Sequence, residues 1–156
     1  MVTATKSGVM ECLKHAQANA VTLYLNNKRY HWYTYGQHFR DLHLFFDEMA
    51  SSAFAEIDPL GERIRMLGGD PLSDLGEIRQ WVTIQIASGE QSPRQMLEEA
   101  LANERRVIDE MRTGAILADE QRDPGSNDLF STLVQNHEKY AWFIAETLRQ
   151  DGSMGA

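Results

Sequence analysis

Apolar residues recur at three- and four-residue spacing along most of this chain, with few prolines to interrupt them. That period belongs to the α-helix, where positions i, i+3 and i+4 share a face. The first stretch, Lys6 to Tyr33, carries Leu13, Ala16, Ala20, Leu23, Asn27 and Tyr30 in register. Gly36 breaks it. A second helix is expected from about Gln37 to Leu67, with Leu42, Phe45, Phe46, Met49, Ala53 and Ile57 on its apolar face and the GGDP of 68–71 as a stop. A short segment follows, with Ser73 as its N-cap. VTIQI at 82–86 alternates like a strand, but five isolated residues make no sheet.

Ser92-Pro93-Arg94-Gln95 starts a third long helix, as N-cap, Pro at N1 and the Gln of a capping box. Met96, Leu97, Ala100, Leu101, Val107, Ile108 and Met111 mark its face. DPGSND at 123–128 reads as a loop. The fourth helix then carries Leu129, Phe130, Leu133, Val134, Tyr140, Ala141, Ile144 and Leu148. The expected fold is all-α: a four-helix bundle, its long crossover between helices two and three holding a short extra helix. Asp58-Pro59 pulls the other way. It reads as cap and first residue of a new helix or, with Gly61, as a kink in the second one.

A chain of 156 residues, 42% apolar and 24% charged, suits one globular domain over 1–156. Its single cysteine, Cys12, allows no disulfide within the chain. With no signal-peptide core and no run of eighteen apolar residues, the expectation is a cytoplasmic protein without a membrane span. The net charge of −8, a tail MVTATKS with one lysine and a C-terminus DGSMGA with none argue against DNA binding.

Residues 31–48, HWYTYGQHFRDLHLFFDE, concentrate three histidines, two aspartates and a glutamate. A di-iron site inside one bundle uses Glu-x-x-His pairs, and no glutamate here has a histidine three residues on. What the second helix offers is His43 with Asp47, and Asp58 with Glu62, each pair one turn apart. The pairs lie fifteen residues apart, roughly 22 Å at 1.5 Å per residue, too far to share an ion within one chain. They are, however, symmetric about the midpoint between Ser52 and Ala53. Two copies crossing antiparallel on a two-fold axis there would place 43 and 47 of one beside 58 and 62 of the other, twice over. Ala50, Ser51, Ser52 and Ala53 offer small side chains for that crossing.

His31-Trp32, Gly36, Phe39, His43 and the stretch IDPLGERIRMLGGDP at 57–71 closely resemble the Dps mini-ferritins, over essentially the whole chain. The resemblance implies a ferritin-like bundle assembled as a homo-dodecameric shell, with ferroxidase centres at the two-fold interfaces. His31, His43 and Asp47 would come from one subunit, and Asp58 and Glu62 from its neighbour. Trp32 would lie near the centre and trap stray oxidising equivalents, and Glu48 would be a nucleation carboxylate for ferric mineral. The implied activity is oxidation of Fe²⁺ by hydrogen peroxide or O₂, with Zn²⁺ a competitor. Carboxylates with one or two imidazoles suit Fe²⁺ and leave positions open for an oxidant.

Around 119–128, Asp119, Glu120, Asp123 and Asp128 fit either a solvated acidic loop or, by resemblance, an iron entry pore using Asp123 and Asp128. His38 reads as an exposed loop histidine, with an accessory metal contact as the alternative. His137, on the apolar stripe of helix four, reads as a satisfied core histidine.

Overall fold

The computed structural model describes residues 5–149, so the first four residues and the last seven, which include the termini read for basic character, lie outside it. Four long helices form: α1 (Thr5–Tyr33), α2 (Phe39–Met66), α4 (Pro93–Glu120) and α5 (Pro124–Leu148), with the short α3 (Leu75–Trp81) in the crossover. There is no strand among the described residues, and no helix long and apolar enough to cross a membrane.

The contacts fix the directions. His31 meets His43 and Lys28 meets Asp47, so α1 and α2 are antiparallel. Asn19 reaches Glu110, and Tyr30 donates to Glu99, so α1 and α4 are antiparallel as well. α2 and α4 therefore run the same way on opposite corners, and only a connection along the bundle can join them. That is why residues 67–92 form a long crossover.

Terminal chemistry accounts for the boundaries. Gly36, at φ +93, turns α1 into α2. α2 ends in a Schellman motif, with Gly69 N–H on the Ile64 carbonyl and Gly68 N–H on Arg65. Gly68 takes the left-handed conformation, φ +84, that this motif needs. The capping box at Ser92 and Gln95 forms as expected. α3 is capped by Asp74, one residue beyond the expected Ser73. The Asp74 carboxylate accepts from Glu77 N–H, while Ser73 N–H donates to the Glu77 side chain.

Two expectations fail. Asp58-Pro59 starts nothing, because α2 runs through it with Pro59 inside the helix. Ile64, Leu60 and Gly61 stay buried beyond the proline, and this burial holds the helix together. The carbonyl that Pro59 leaves without its donor belongs to exposed Ala55, where water can reach it. Conversely, the loop expected at 123–128 is mostly helix. α4 closes on a Schellman turn through Arg122 (φ 55), whose last donor, Asp123 N–H, bonds the Ala118 carbonyl. Asp123 then caps α5 by accepting from Ser126 N–H.

The strand-like run 82–86 is extended chain whose polar groups are met by asparagines instead of by a second strand. Thr83 N–H donates to Asn19, Gln85 N–H to Asn103 and Ala87 N–H to Asn26, while Asn26 and Asn103 both donate to the Gln85 carbonyl. All three asparagines are buried. Asn103→Ala would leave the Gln85 N–H without its partner and the Gln85 carbonyl with Asn26 alone, at a cost of about 1–3 kcal/mol. A clear drop in the thermal midpoint, at fixed protein concentration, is the expected result; an unchanged midpoint would mean water replaces the side chain.

The core has two apolar clusters. One holds Leu13, Leu60, Ile64, Val107, Met111 and Phe130, and the other Tyr30, Phe46, Met49, Met96, Tyr140 and Ile144. Between them in chain position on α4 and α5 lie Glu104 and His137, and Glu56 stands near the same boundary on α2; all three are buried.

Candidate metal centre

His31 stands on the last turn of α1, and the connection 34–38 brings it against His43 early in α2. Their rings stack, with centroids 3.7 Å apart and planes 13° from parallel. Each Nδ1 lies on the other residue's backbone carbonyl, His31 Nδ1 to His43 O at 2.5 Å and His43 Nδ1 to His31 O at 2.7 Å. A carbonyl only accepts, so each Nδ1 carries a hydrogen, and Nε2 is the ring atom left to offer a lone pair to a metal. This reciprocal lock fixes tautomer and orientation before any ion arrives. Phe39 stacks on His43 at 5.1 Å.

One rung further from the turn, Asp47 meets a residue that the sequence reading passed over. Lys28 Nζ donates to Asp47 Oδ1 at 2.5 Å. That bond is the main reason the Asp47 carboxyl is held below the ordinary carboxylate range, with the Lys28 charge adding to it. Lys28 lies three residues before His31 on α1, a spacing that could have flagged it.

Asp58 and Glu62 are exposed on the outer side of α2, at an open groove of about 660 Å³ also lined by Gln17, Phe54, Gly61 and Met66. The unbroken helix keeps them well away from His43 and Asp47. Among the described residues no three His, Cys, Asp or Glu side chains converge as a metal site. One chain thus presents two partial ligand sets on one outward stripe, running through Asp47, Ser51, Phe54, Asp58 and Glu62. The small residues at its midpoint need correcting. Ala50 and Ala53 are buried in the chain's own core, whereas Phe54 is 60% exposed, its ring 5.4 Å from Tyr24. A partner helix would meet Ser51 and Phe54, not a strip of alanines.

The remaining residues fall around this frame. Trp32 is exposed, beside His31 in the chain. Glu48 is exposed, with Tyr140 Oη 3.4 Å from its carboxylate. His38 is exposed at the N-cap position of α2 and makes no capping bond. Asp123 is engaged twice, by Ser126 and by Arg63 Nη2 at 2.5 Å; burial alone would raise its carboxyl, but these bonds hold it low. Gly125 makes room for Arg63, since a Cβ there would stand 2.6 Å from the guanidinium. Asp128 is exposed on α5. His137 is the core histidine expected, with Nδ1 2.6 Å from Glu104 and Nε2 3.0 Å from Glu56. The sequence did not reveal its partners, although a glutamate on an apolar stripe between Ala53 and Leu60, or Ala100 and Val107, was a usable sign.

A ferritin-like domain family model matches residues 10–154. The structure of Dps from Thermosynechococcus elongatus superposes with a TM-score of 0.95 at 45% identity, covering 99% of this chain and 98% of that one. General stress protein 20U of Bacillus subtilis is 29% identical over 136 residues, covering 87% of this chain and 94% of the relative. DNA protection during starvation protein 1 of Deinococcus radiodurans is 31% identical over 137 residues, covering 87% of this chain and 66% of the relative.

Proposed function

Because this chain belongs to the ferritin-like family, and within it to the Dps proteins, we propose that it oxidises Fe²⁺ at centres shared between two copies and stores the ferric product in a dodecameric shell. The whole chain acts as one ferritin-like domain. The observation that carries this reading is the pair of incomplete ligand sets on one outward face of an unbroken helix, symmetric about its middle.

His31 and His43 supply imidazole Nε2 atoms already aimed by their carbonyl partners, and Asp47 a carboxylate beside them. Asp58 and Glu62 of a second copy close the centre with hard oxygen donors. Mixed nitrogen and carboxylate ligands of this kind suit Fe²⁺, and Zn²⁺ competes for the same atoms. Iron is substrate here. Two Fe²⁺ held together give one electron each to a single peroxide, which takes up two protons and leaves as two waters, so no hydroxyl radical is released. O₂ is the alternative oxidant. Trp32, exposed and next to His31 in the chain, is the side chain assigned to trap an escaping one-electron oxidant. Glu48 offers an exposed carboxylate for the first ferric ions to hydrolyse on, and Asp123 and Asp128 line the route of iron entry, with Asp128 the freer of the two.

The test is anaerobic loading with Fe²⁺ followed by peroxide, with ferric absorbance recorded. The reading expects rapid oxidation at about two Fe²⁺ per peroxide, with the iron retained on the protein. Slow oxidation with iron precipitating outside the protein would sink it. Some relatives are named for DNA protection, but the net charge of −8 favours the iron chemistry as the principal function of this chain. A gel shift at low salt would expose an error there.

A further inference from the structure

Leu44 stands between His43 and Asp47 on α2, 52% exposed and part of neither core cluster. A lone exposed leucine is ordinary, but its position here is informative. The other half-set of ligands has a hollow in the matching place. Asp58 and Glu62 stand at the groove of about 660 Å³, which is floored by Gly61 and walled by Phe54, Met66 and Pro71. Gly61 keeps the floor low, since a Cβ there would stand 3.1 Å from the Gln17 amide and 3.7 Å from Pro71. Gln17 is already occupied, pairing both ways with the backbone of Leu72, so it leaves no amide in need of a partner. Leu44 and Gly61 lie equally far from the midpoint between Ser52 and Ala53, as do Asp47 and Asp58, and His43 and Glu62. The two-fold crossing that joins the ligands therefore carries each Leu44 to the groove of the other copy.

We propose that Leu44 of each copy seats in the Gly61 groove of the other and sets the register in which the two ligand sets meet. This rests on the shared-centre reading. The ligands are poor guides to their own alignment, because before a metal is bound the contact gathers three carboxylates, Asp47, Asp58 and Glu62, at each centre. An apolar side chain in a preformed hollow supplies attraction that needs no metal. A slip of one turn along α2, about 5.4 Å, would lift the leucine off the Gly61 floor and part both ligand pairs. Leu44 touches no iron and is a positioning residue: it decides whether the half-sites coincide, not what they do.

The test is sedimentation of the metal-free full chain over a dilution series, with helix content and peroxide-driven Fe²⁺ oxidation measured on the same samples. Leu44→Ala should keep the wild-type helix content and weaken the two-fold association about a hundredfold, because each contact loses two leucine side chains. Leu44→Ser takes its place if Leu44→Ala changes the helix content. Met66→Ala, at a groove residue 70% exposed in the single chain, should weaken the association too, and the double variant should lose clearly less than the two effects combined. Within one chain these positions are 22 residues apart, roughly 33 Å along an unbroken helix, so coupling between them arises between copies. If Leu44→Ala leaves association unmoved, or if the two effects simply combine, Leu44 does not seat in that groove, while the shared centre stands as long as oxidation still needs His31 and Asp58. If wild-type chains separated by dilution oxidise Fe²⁺ as fast as assembled ones, the shared centre itself fails, and the proposal fails with it.

Discussion

Asp58→Ala and His31→Ala proteins should each lose rapid Fe²⁺ oxidation, by about 100-fold or more, yet a mixture of the two chains should recover part of it. The loss alone is a modest claim, since removing a group that merely orients a metal ligand already costs ~10–100-fold. The recovery is the discriminating result. In the proposed two-fold arrangement each centre would take His31 from one copy and Asp58 from the other. When a His31→Ala chain meets an Asp58→Ala chain, one of their two centres collects both defects and the other collects neither. Random assembly of equal amounts therefore restores about a quarter of the centres. Co-refolded or co-expressed chains, assayed per subunit against wild type, give the number directly. A ligand set assembled within one chain would show no recovery at any mixing ratio, and the symmetric spacing along α2 would then be a coincidence.

His137→Leu should be among the most destabilising single changes available to this fold. The imidazole sits between Glu104 and Glu56, and each of the three residues is no more than 3% exposed. Burial on its own would discharge the ring, but the two carboxylates outweigh it, and the His137 pKa is pushed up to about 10. Removing it leaves two buried carboxylates facing each other without a cation, a loss of about 3–5 kcal/mol. Replacing Glu56, Glu104 and His137 together by leucine should recover most of that, because no charge is then stranded. The same ring predicts a pH dependence. Its folded pKa lies above the ordinary 6.5, so its contribution is complete below that value and fades as pH rises through about 10. Thermal midpoints taken between pH 7 and 10.5 should fall more steeply for wild type than for the triple-leucine protein. Parallel curves would mean that the ring is not charged in the native state.

The same layer bears on where a metal centre can sit. Bundles that hold two metals internally turn carboxylates and histidines toward a shared space. Here the internal carboxylates are already matched to a cation of the chain's own, and both nitrogens of His137 are taken.

The sequence alone determined the four long helices, though not where the last of them starts, because a period of three to four residues over twenty or more positions fits a helix and not a strand. It also determined the pairing of His43 with Asp47 and of Asp58 with Glu62, which needs only helical geometry. What it left undecided were places where one local signal has two outcomes. Asp-Pro occurs at 58–59, at 70–71 within the GGDP stop, and at 123–124, and the first and last can each read as a cap and the first residue of a helix. At 123 it is one, since α4 has just closed on Arg122 and Asp123 has Ser126 N–H to accept. At 58 it is not, since Leu60 and Ile64 are buried beyond it and the chain gains more by continuing. The alanines at the middle of α2 likewise looked available for a partner, until packing turned them inward and left Phe54 outside. Lys28 on Asp47, and Glu56 and Glu104 on His137, join residues 19, 81 and 33 positions apart. Contacts at that separation depend on how the helices dock, which local propensity does not encode.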